Sequence, residues 1–405
     1  WYEYDNLGRT ATITAPYEQD THAPYTIKME YHPHNYSDLD IFHNDNNPYS
    51  YAITEHYDCQ HPSNPIRTTL ITDGLGRLLQ TKKDAEIGGQ EVSLVTGKVV
   101  YDCFGRTLRQ YHPFTEPLGT EELYNDSVTA GTETVTKYDL MDRQIRVTVP
   151  GNYTTYFNYG FGTHNGNRYF STTTTDALSN SVTVLKGSLG EQIKIIAPMN
   201  TVTIFEYSPL GQLLRSTDPD GMQTSYQYDM LGRMTQRVHP DAGTDKYFYD
   251  SAGGLVWHTN GNGDTVRYRY HYNQLTDVLH SRYPENDVLY RYGAQGAAAN
   301  RAGRIMYQED ASGWQVFSYG KLGEVTENIR TFALPFESQP YTFRMNFEYD
   351  SWNRIQQMTY PDGEKVSYGY NLGGMLNDIK GDKNGQTYPY VNHIAYNQYE
   401  LKDSV

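Results

Sequence analysis

The sequence predicts an all-β protein, a long antiparallel sheet made of repeated hairpins. Three observations predict it. A phrase recurs along the 405 residues: two aromatics one residue apart, then Asp and a glycine-centred turn with Arg. Copies keep a constant interval in places. Tyr207, Tyr228 and Tyr249 lie 21 residues apart, and Tyr349 to Tyr370 repeats that step. Between the turns, residues alternate with a period of two, which suits strands and excludes a helical solenoid.

The clearest copy, Tyr226-Gln-Tyr228-Asp229-Met-Leu-Gly232-Arg233, gives the physical translation. Tyr226 and Tyr228 point to one face of a strand, as do Phe205/Tyr207, Tyr268/Tyr270/Tyr272, Tyr290/Tyr292 and Tyr368/Tyr370. Asp caps its own backbone, and Gly permits positive φ. A second alternating run, Met234 to Val238, ends at the turn His239-Pro240-Asp241-Ala242-Gly243. Asp218-Pro219-Asp220-Gly221 and Tyr360-Pro361-Asp362-Gly363 are equivalent turns. One unit is therefore strand, turn, strand, turn, with strands about 20 Å long.

Along the chain, residues 1–16 hold one unit, with Tyr4, Asp5, Gly8 and Arg9. Residues 17–66 are rich in Pro, His, Asn and Asp and read as an irregular insertion, with a strand-like piece at Tyr25–Tyr31. Residues 67–111 return to the repeat, with strands at Thr68–Thr72 and Lys98–Tyr101. Their partial copies are Asp73-Gly-Leu-Gly76-Arg77 and Tyr101-Asp102-Cys-Phe-Gly105-Arg106. A second irregular insertion spans 112–134. The most regular stretch is 135–293. It contains Tyr138-Asp139-Leu-Met-Asp142-Arg143, Tyr207 with Gly211, the 226–233 phrase, and Tyr247-Phe-Tyr249-Asp250-Ser-Ala-Gly253. Residues 294–303 suit a short helical turn or a loop. Residues 304–380 resume the pattern with Phe347-Glu-Tyr349-Asp350-Ser-Trp-Asn353-Arg354 and Tyr370, and Tyr388 to Asn397 forms a degenerate unit. No low-complexity linker divides the chain, so 1–405 reads as one domain.

The composition fits wet sheet surfaces. There are 39 Tyr against 13 Phe and 4 Trp, and Tyr packs its ring while its hydroxyl reaches water or a partner. Mean hydropathy is -0.72, yet the kept alternation and 14% aromatic content argue against disorder. A net charge of -15 repels phosphate backbones and disfavours nucleic-acid partners. No apolar run approaches the roughly 18 residues of a membrane span. No leader peptide is visible, but the chain starts at Trp1 inside a repeat phrase and is expected to be a piece of a longer polypeptide. Cys59 and Cys103 neither build a disulfide scaffold nor exclude one bridge.

Candidate chemistry is sparse. His56, Asp58, Cys59 and His61, with His32, His34 and His43 nearby, carry zinc-compatible donors but lack paired ligand clusters. Asp38, Asp40, Asn44, Asp45 and Asn46 lack the glycine and terminal glutamate of a calcium loop. Turn duty accounts for the repeat aspartates without a glycosidase pair. Cys103 is expected to be packed. Residues 160–166 do not form a dinucleotide fingerprint, and no nucleophile elbow occurs. The expected catalytic, cofactor and metal residues are therefore none. The recurrent Arg9, Arg77, Arg106, Arg143, Arg233 and Arg354 are expected to pair with the preceding Asp or stack on a neighbouring Tyr.

The phrase Tyr-Asp-x-x-Gly-Arg, with an aromatic two positions upstream and Pro-Asp-Gly near mid-unit, is similar to the Rhs or YD-repeat family. That family includes the B and C components of bacterial Tc toxins, Rhs polymorphic toxins and, more distantly, the teneurin shell. The phrase Asp73 to Asp84, followed by Gly97 to Asp102, resembles the Rhs portion beside SpvB-type components. The resemblance implies an antiparallel β-strip that spirals into a hollow shell, here a partial one. It implies a secreted bacterial protein without catalysis that encloses a C-terminal toxin cargo. The rest of its own polypeptide, or a partner Rhs or toxin component, would close the shell. Asp218-Pro219-Asp220-Gly221 superficially resembles part of the family's self-cleavage motif but occupies an ordinary turn position. The competing expectation is an extracellular module whose Tyr-rich strands bind a glycan or other surface.

Overall fold

The computed structural model describes residues 1–33, 49–127, 132–334 and 339–404. Local turn chemistry sets its architecture. In the 226–233 hairpin the Asp229 amide donates to the Arg233 carbonyl at 2.9 Å, and the Gly232 amide to the Asp229 carbonyl at 3.1 Å. Gly232 has φ +83°. The register slips between Gln227 and Tyr228. This is a tight turn closed by a glycine bulge, a combination that matches the right-handed twist of a hairpin. The same slip precedes Tyr138, Tyr207, Tyr249, Tyr349 and Tyr370. A bulge repeated on one edge bends the whole strip.

Hairpins pair in chain order. Eight strands form a first antiparallel sheet: Tyr2–Tyr4, Thr10–Ile13, Ile27–His32, Ser50–His56, Ile66–Thr72, Leu78–Ile87, Gln90–Thr96 and Phe114–Glu116. Twenty-five more form a closed circuit running from Val99–Tyr101 and Thr107–Tyr111, through Glu133–Tyr138, to Gln386–Val391. Ala395–Tyr396 and Lys402–Ser404 make a last hairpin. Segment 17–66 thus supplies most of one short helix, Pro16–Thr21, and two sheet strands, Ile27–His32 and Ser50–His56, paired to each other over six residues. Residues 294–303 form turns and a single bridge, Gly293 to Ala302, without a helix.

The circuit overlaps the first sheet and its connections. Contacts join Tyr17 to Glu324, Tyr57 to Trp352, Gln60 to Tyr368 and Lys83 to Glu400, pairs separated by 307, 295, 308 and 317 residues. A separation that stays near 300 residues is the signature of a spiral with one winding laid on the previous one. It rules out compact domains meeting at random.

The core lies where the windings overlap. Ile53, Ile66, Ile71, Leu79, Ala85, Leu94 and Val95 are buried in the first sheet, whereas the 25-strand wall buries only Tyr111, Leu185 and Val366 among its described apolar side chains. The rest of the wall is a single half-exposed layer, as the low hydropathy requires. No helix among the described residues is long and apolar enough to cross a membrane.

Candidate functional site

Each repeat turn builds a staple. The Oδ1 of Asp229 accepts the amides of Leu231 and Arg233, both at 2.9 Å, and Oδ2 accepts Arg233 Nε at 2.7 Å. The Arg233 amide, followed by its guanidinium, holds the Asp229 carboxyl below the usual range. The guanidinium lies 4.8 Å over the Tyr249 ring, and the Tyr249 hydroxyl donates to the Met234 carbonyl at 2.9 Å. Asp, Arg and the Tyr of the next hairpin therefore lock one hairpin to its successor.

The arrangement recurs with Asp5, Arg9 and Tyr31, with Asp73, Arg77 and Tyr101, with Asp102, Arg106 and Tyr138, and with Asp350, Arg354 and Tyr370. Tyr228 and Tyr370 donate to Leu213 and Ile355 carbonyls, each at 2.9 Å. Tyr4 is exposed at the start of the first sheet. Asp139 pairs with Arg143, which stacks over Tyr159. Gly8, Gly76, Gly105 and Gly211 all take positive φ.

Two turns invert the pattern. In Gly187-Ser-Leu-Gly190-Glu191 and Gly320-Lys-Leu-Gly323-Glu324 the carboxylate comes from the last position. Glu191 Oε2 accepts the Leu189 amide at 3.0 Å. Each glutamate fills the space a β-carbon on Gly187 or Gly320 would need. The following tyrosines, Tyr207 and Tyr349, feel those glutamates in place of an arginine. Burial first, and the neighbouring carboxylate second, push their hydroxyls above the usual range.

The turn geometry fixes a prediction. Gly232→Val should cost about 1–2 kcal/mol, because a β-branched residue must enter the left-handed region. Gly232→Asn should cost far less, since Asn353 holds φ +60° at the same place in its turn. Thermal melts of the two variants check the difference.

At the overlap, ordinary repeat residues become contacts between windings. Arg354 pairs with Asp350 of its own turn at 2.7 Å and with Asp58 of the earlier winding at 2.9 Å. Trp352 donates through Nε1 to the Tyr57 carbonyl and stacks on His56 at 3.8 Å. Burial, then the Arg354 charge, lower the His56 pKa to about 4, so this ring is neutral. Gln60 accepts the Tyr370 amide at 2.8 Å. Gly373 lets the backbones close up, since a β-carbon there would stand 2.9 Å from Ala85 Cα.

These contacts engage residues that carry zinc-compatible donors. His56 is stacked, and Asp58 is held by Arg354 and by His61 at 3.1 Å. Cys59 and Cys103 are free and exposed. Cys103 therefore differs from the expectation of packing: it sits in the 102–106 turn, which no other winding covers among the described residues. Among the described residues no group of three His, Cys, Asp or Glu side chains is placed to hold a metal. His34, His43, Asp38, Asp40, Asn44, Asp45 and Asn46 lie outside the described residues.

Beside the seam, Glu55, Arg67, Asp84, Glu91, Glu121 and Leu372 line a cavity of about 330 Å³. Burial, helped by the charge of Glu121, pushes Asp84 up to about 6 although it accepts the Arg67 amide at 3.0 Å. A raised carboxyl pKa favours the folded state at low pH. That stability is fully present below about 3.8 and lost as pH rises through about 6. Asp84→Asn should therefore stabilise the protein at pH 8, by about 1 kcal/mol after screening, and show no gain at pH 3.5. Melts at the two pH values test this.

The RHS Repeat family matches residues 193–244. No curated protein matches the sequence. Among solved structures, the crystal structure of TcdB2-TccC3 superposes with a TM-score of 0.82 at 18% identity, covering 99% of this chain and 24% of that one. The crystal structure of TcdB2-TccC3-Cdc42 gives 0.82 at 16% identity, covering 99% and 26%. The Photorhabdus luminescens Tc holotoxin pore gives 0.73 at 16% identity, covering 87% and 20%. At such identities the likeness is one of fold. The chain spans about a quarter of the length of the structures it matches.

Proposed function

We propose, from the premise that this chain is a member of the Rhs or YD-repeat family, that it is a stretch of non-catalytic wall in a secreted bacterial Tc-type toxin, enclosing a toxin cargo. One observation carries the reading: a strip of hairpins completes a circuit and seals onto its own first winding through Asp58, Trp352 and Arg354. Such a wall acts by steric exclusion. It denies its contents folding space and solvent contact, and its half-exposed polar surfaces avoid adhesion. The repeat chemistry supports a structural role, because the Asp, Arg and Tyr side chains are engaged with one another. Tyr228, Tyr249 and Tyr370 direct their hydroxyls to neighbouring carbonyls, which leaves them poor platforms for a sugar.

Protease protection tests the reading. The full-length polypeptide, digested with trypsin in native buffer, should shield the segment downstream of the wall. That segment should be degraded once the wall is unfolded. A downstream segment cut as fast in the native protein as in the unfolded one would end the proposal. Specific micromolar glycan binding by the intact wall would favour the surface-binding module instead.

A further inference from the structure

The two faces of the wall differ in charge. In the strand Gly243–Tyr249, Tyr247 and Tyr249 are half-buried, whereas Lys246 and Phe248 point the other way and are exposed. The alternation continues in Thr265–His271, where exposed Arg267 and Arg269 flank half-buried Tyr268, and in Val288–Tyr292, where exposed Arg291 stands between Tyr290 and Tyr292. Lys246, Arg267, Arg269 and Arg291 therefore share the face turned away from the tyrosines. Nearby Arg237 and Arg282 are paired, with Asp245 and Asp264. None of the four has an ion-pair partner among the described residues.

Strand register gathers these cations around an aromatic pair. Phe248 stands opposite Trp257, Trp257 opposite Arg267, and Arg267 opposite Leu279. The Phe248 and Trp257 rings stack at 5.6 Å, 6° from parallel, and Phe248 stays 52% exposed. From Lys246 to Arg291 the field crosses about 19 Å of sheet. Two carboxylates share it. Asp277 stands opposite Arg269, and Glu309, opposite Leu289, accepts the Tyr307 hydroxyl. Four cations against two anions stand out on a chain of net charge -15. Unpaired cations around an exposed apolar pair are the features of a binding surface.

We propose that this field docks an extended acidic segment of a separately encoded protein. Charge complementarity selects the chemistry. Lys246, Arg267 and Arg291 lie on alternate strands, roughly 10 Å apart, which is the span of about three residues of extended chain. The occupant carries a carboxylate at that interval, with apolar side chains between to meet Phe248, Trp257 and Leu279. The bend of the wall selects the source. Side chains crowd on the inner surface of a closed sheet and spread on its outer one. The half-buried tyrosines are the crowded set, so the basic field faces outward, away from anything the wall encloses. The inference needs the closed circuit but not the enclosed cargo.

Fluorescence anisotropy tests it, with the full-length polypeptide and a labelled peptide of about fifteen residues repeating Glu-Leu-Ser. Binding should saturate. It should weaken at least about tenfold in Arg267→Gln/Arg269→Gln, and again when salt rises from about 50 to about 300 mM. Lys137→Gln, exposed but outside the field, should leave the affinity unchanged. Absence of binding, or binding that survives Arg267→Gln/Arg269→Gln, would overturn the docking surface. Tighter binding of a heparin dodecasaccharide than of the peptide would overturn the polypeptide assignment. Lys246 should also react with a bulky succinimidyl polyethylene glycol in the native full-length protein. A Lys246 that reacts only after unfolding would overturn the outward placement and the separate source. Failure of these tests leaves trypsin protection of the downstream segment, and with it the wall reading, untouched. An unprotected segment in a protein that binds the peptide would sink the wall reading alone.

Discussion

Arg354→Ala should loosen the overlap between windings and cost about 3–5 kcal/mol, far more than the same change at Arg233. Both arginines close a staple of identical design. They differ in what surrounds them. The Arg233 and Asp229 side chains are 26% and 23% exposed, so water screens their pair and its loss should cost far less. Arg354 is 11% exposed and faces two carboxylates, Asp350 at 2% and Asp58 at 0%. Removing the guanidinium leaves both buried without a counter-charge. Arg354→Lys should recover only part of the loss, since one ammonium cannot serve two carboxylates as a planar fork does.

Hydrogen exchange should report faster opening of residues 57–61 and 350–356 in the alanine variant, with the 226–233 hairpin unchanged. The pH dependence follows the same contacts. Burial works to raise Asp58, but the His61 contact, the Gln60 amide and Arg354 outweigh it and hold its carboxyl below the usual range. Its contribution is present above about 3.8 and disappears as pH falls below that value. His56, lowered to about 4, contributes fully above about 6.5 and progressively less toward pH 4. Acid should therefore open the seam before it melts the wall. A seam that exchanges equally slowly at pH 3 and pH 7 would contradict this assignment.

The repeat was legible because its chemistry is local. Asp, Gly and Arg within five residues dictate the turn, and Tyr at period two dictates the strand face. That Arg should pair with the preceding Asp or stack on a neighbouring Tyr also follows from spacing alone. The inverted turns at 187–191 and 320–324 were missed, although Gly-x-Leu-Gly-Glu occupying the frame of Asp-x-Leu-Gly-Arg was a readable signal. Inside 17–66 the strand-like piece read at Tyr25–Tyr31 matches the strand Ile27–His32, whereas its partner Ser50–His56 was obscured by the intervening His- and Asn-rich stretch. The seam was not legible at all. Asp58 and Arg354 are 296 residues apart, and nothing in either neighbourhood distinguishes a turn that meets another winding from one that meets water. Lys82 was equally invisible. Nothing in Lys82-Lys83-Asp84, within an alternating strand, signals that the first lysine is buried, yet it is.

That buried lysine sets the second large expectation. Lys82→Met should cost about 3–5 kcal/mol and release the 112–127 segment from the first sheet. The Lys82 side chain is 0% exposed and Glu116 is 7% exposed. The ammonium contacts the Glu116 carboxylate and donates to the Thr120 carbonyl at 2.9 Å and the Leu123 carbonyl at 2.5 Å. Each of its three protons has an acceptor, which is the condition for keeping a charge buried. Gln80 adds two bonds to the Asn125 backbone, and Asn125 Nδ2 holds the other Glu116 oxygen at 2.7 Å. Loss of the ammonium strands a carboxylate and two carbonyls beneath a loop with little apolar surface of its own. Lys82→Met/Glu116→Gln should regain more than half of the loss, because a neutral amide keeps the Asn125 contact without a bare charge. Proteolysis within 117–127 and the melting temperature together give the readout. Lys137→Met, on an exposed wall position, should change neither. If Lys82→Met proved as silent as Lys137→Met, the first sheet would not depend on this polar cap. Its buried face would then have to be held by the second winding alone.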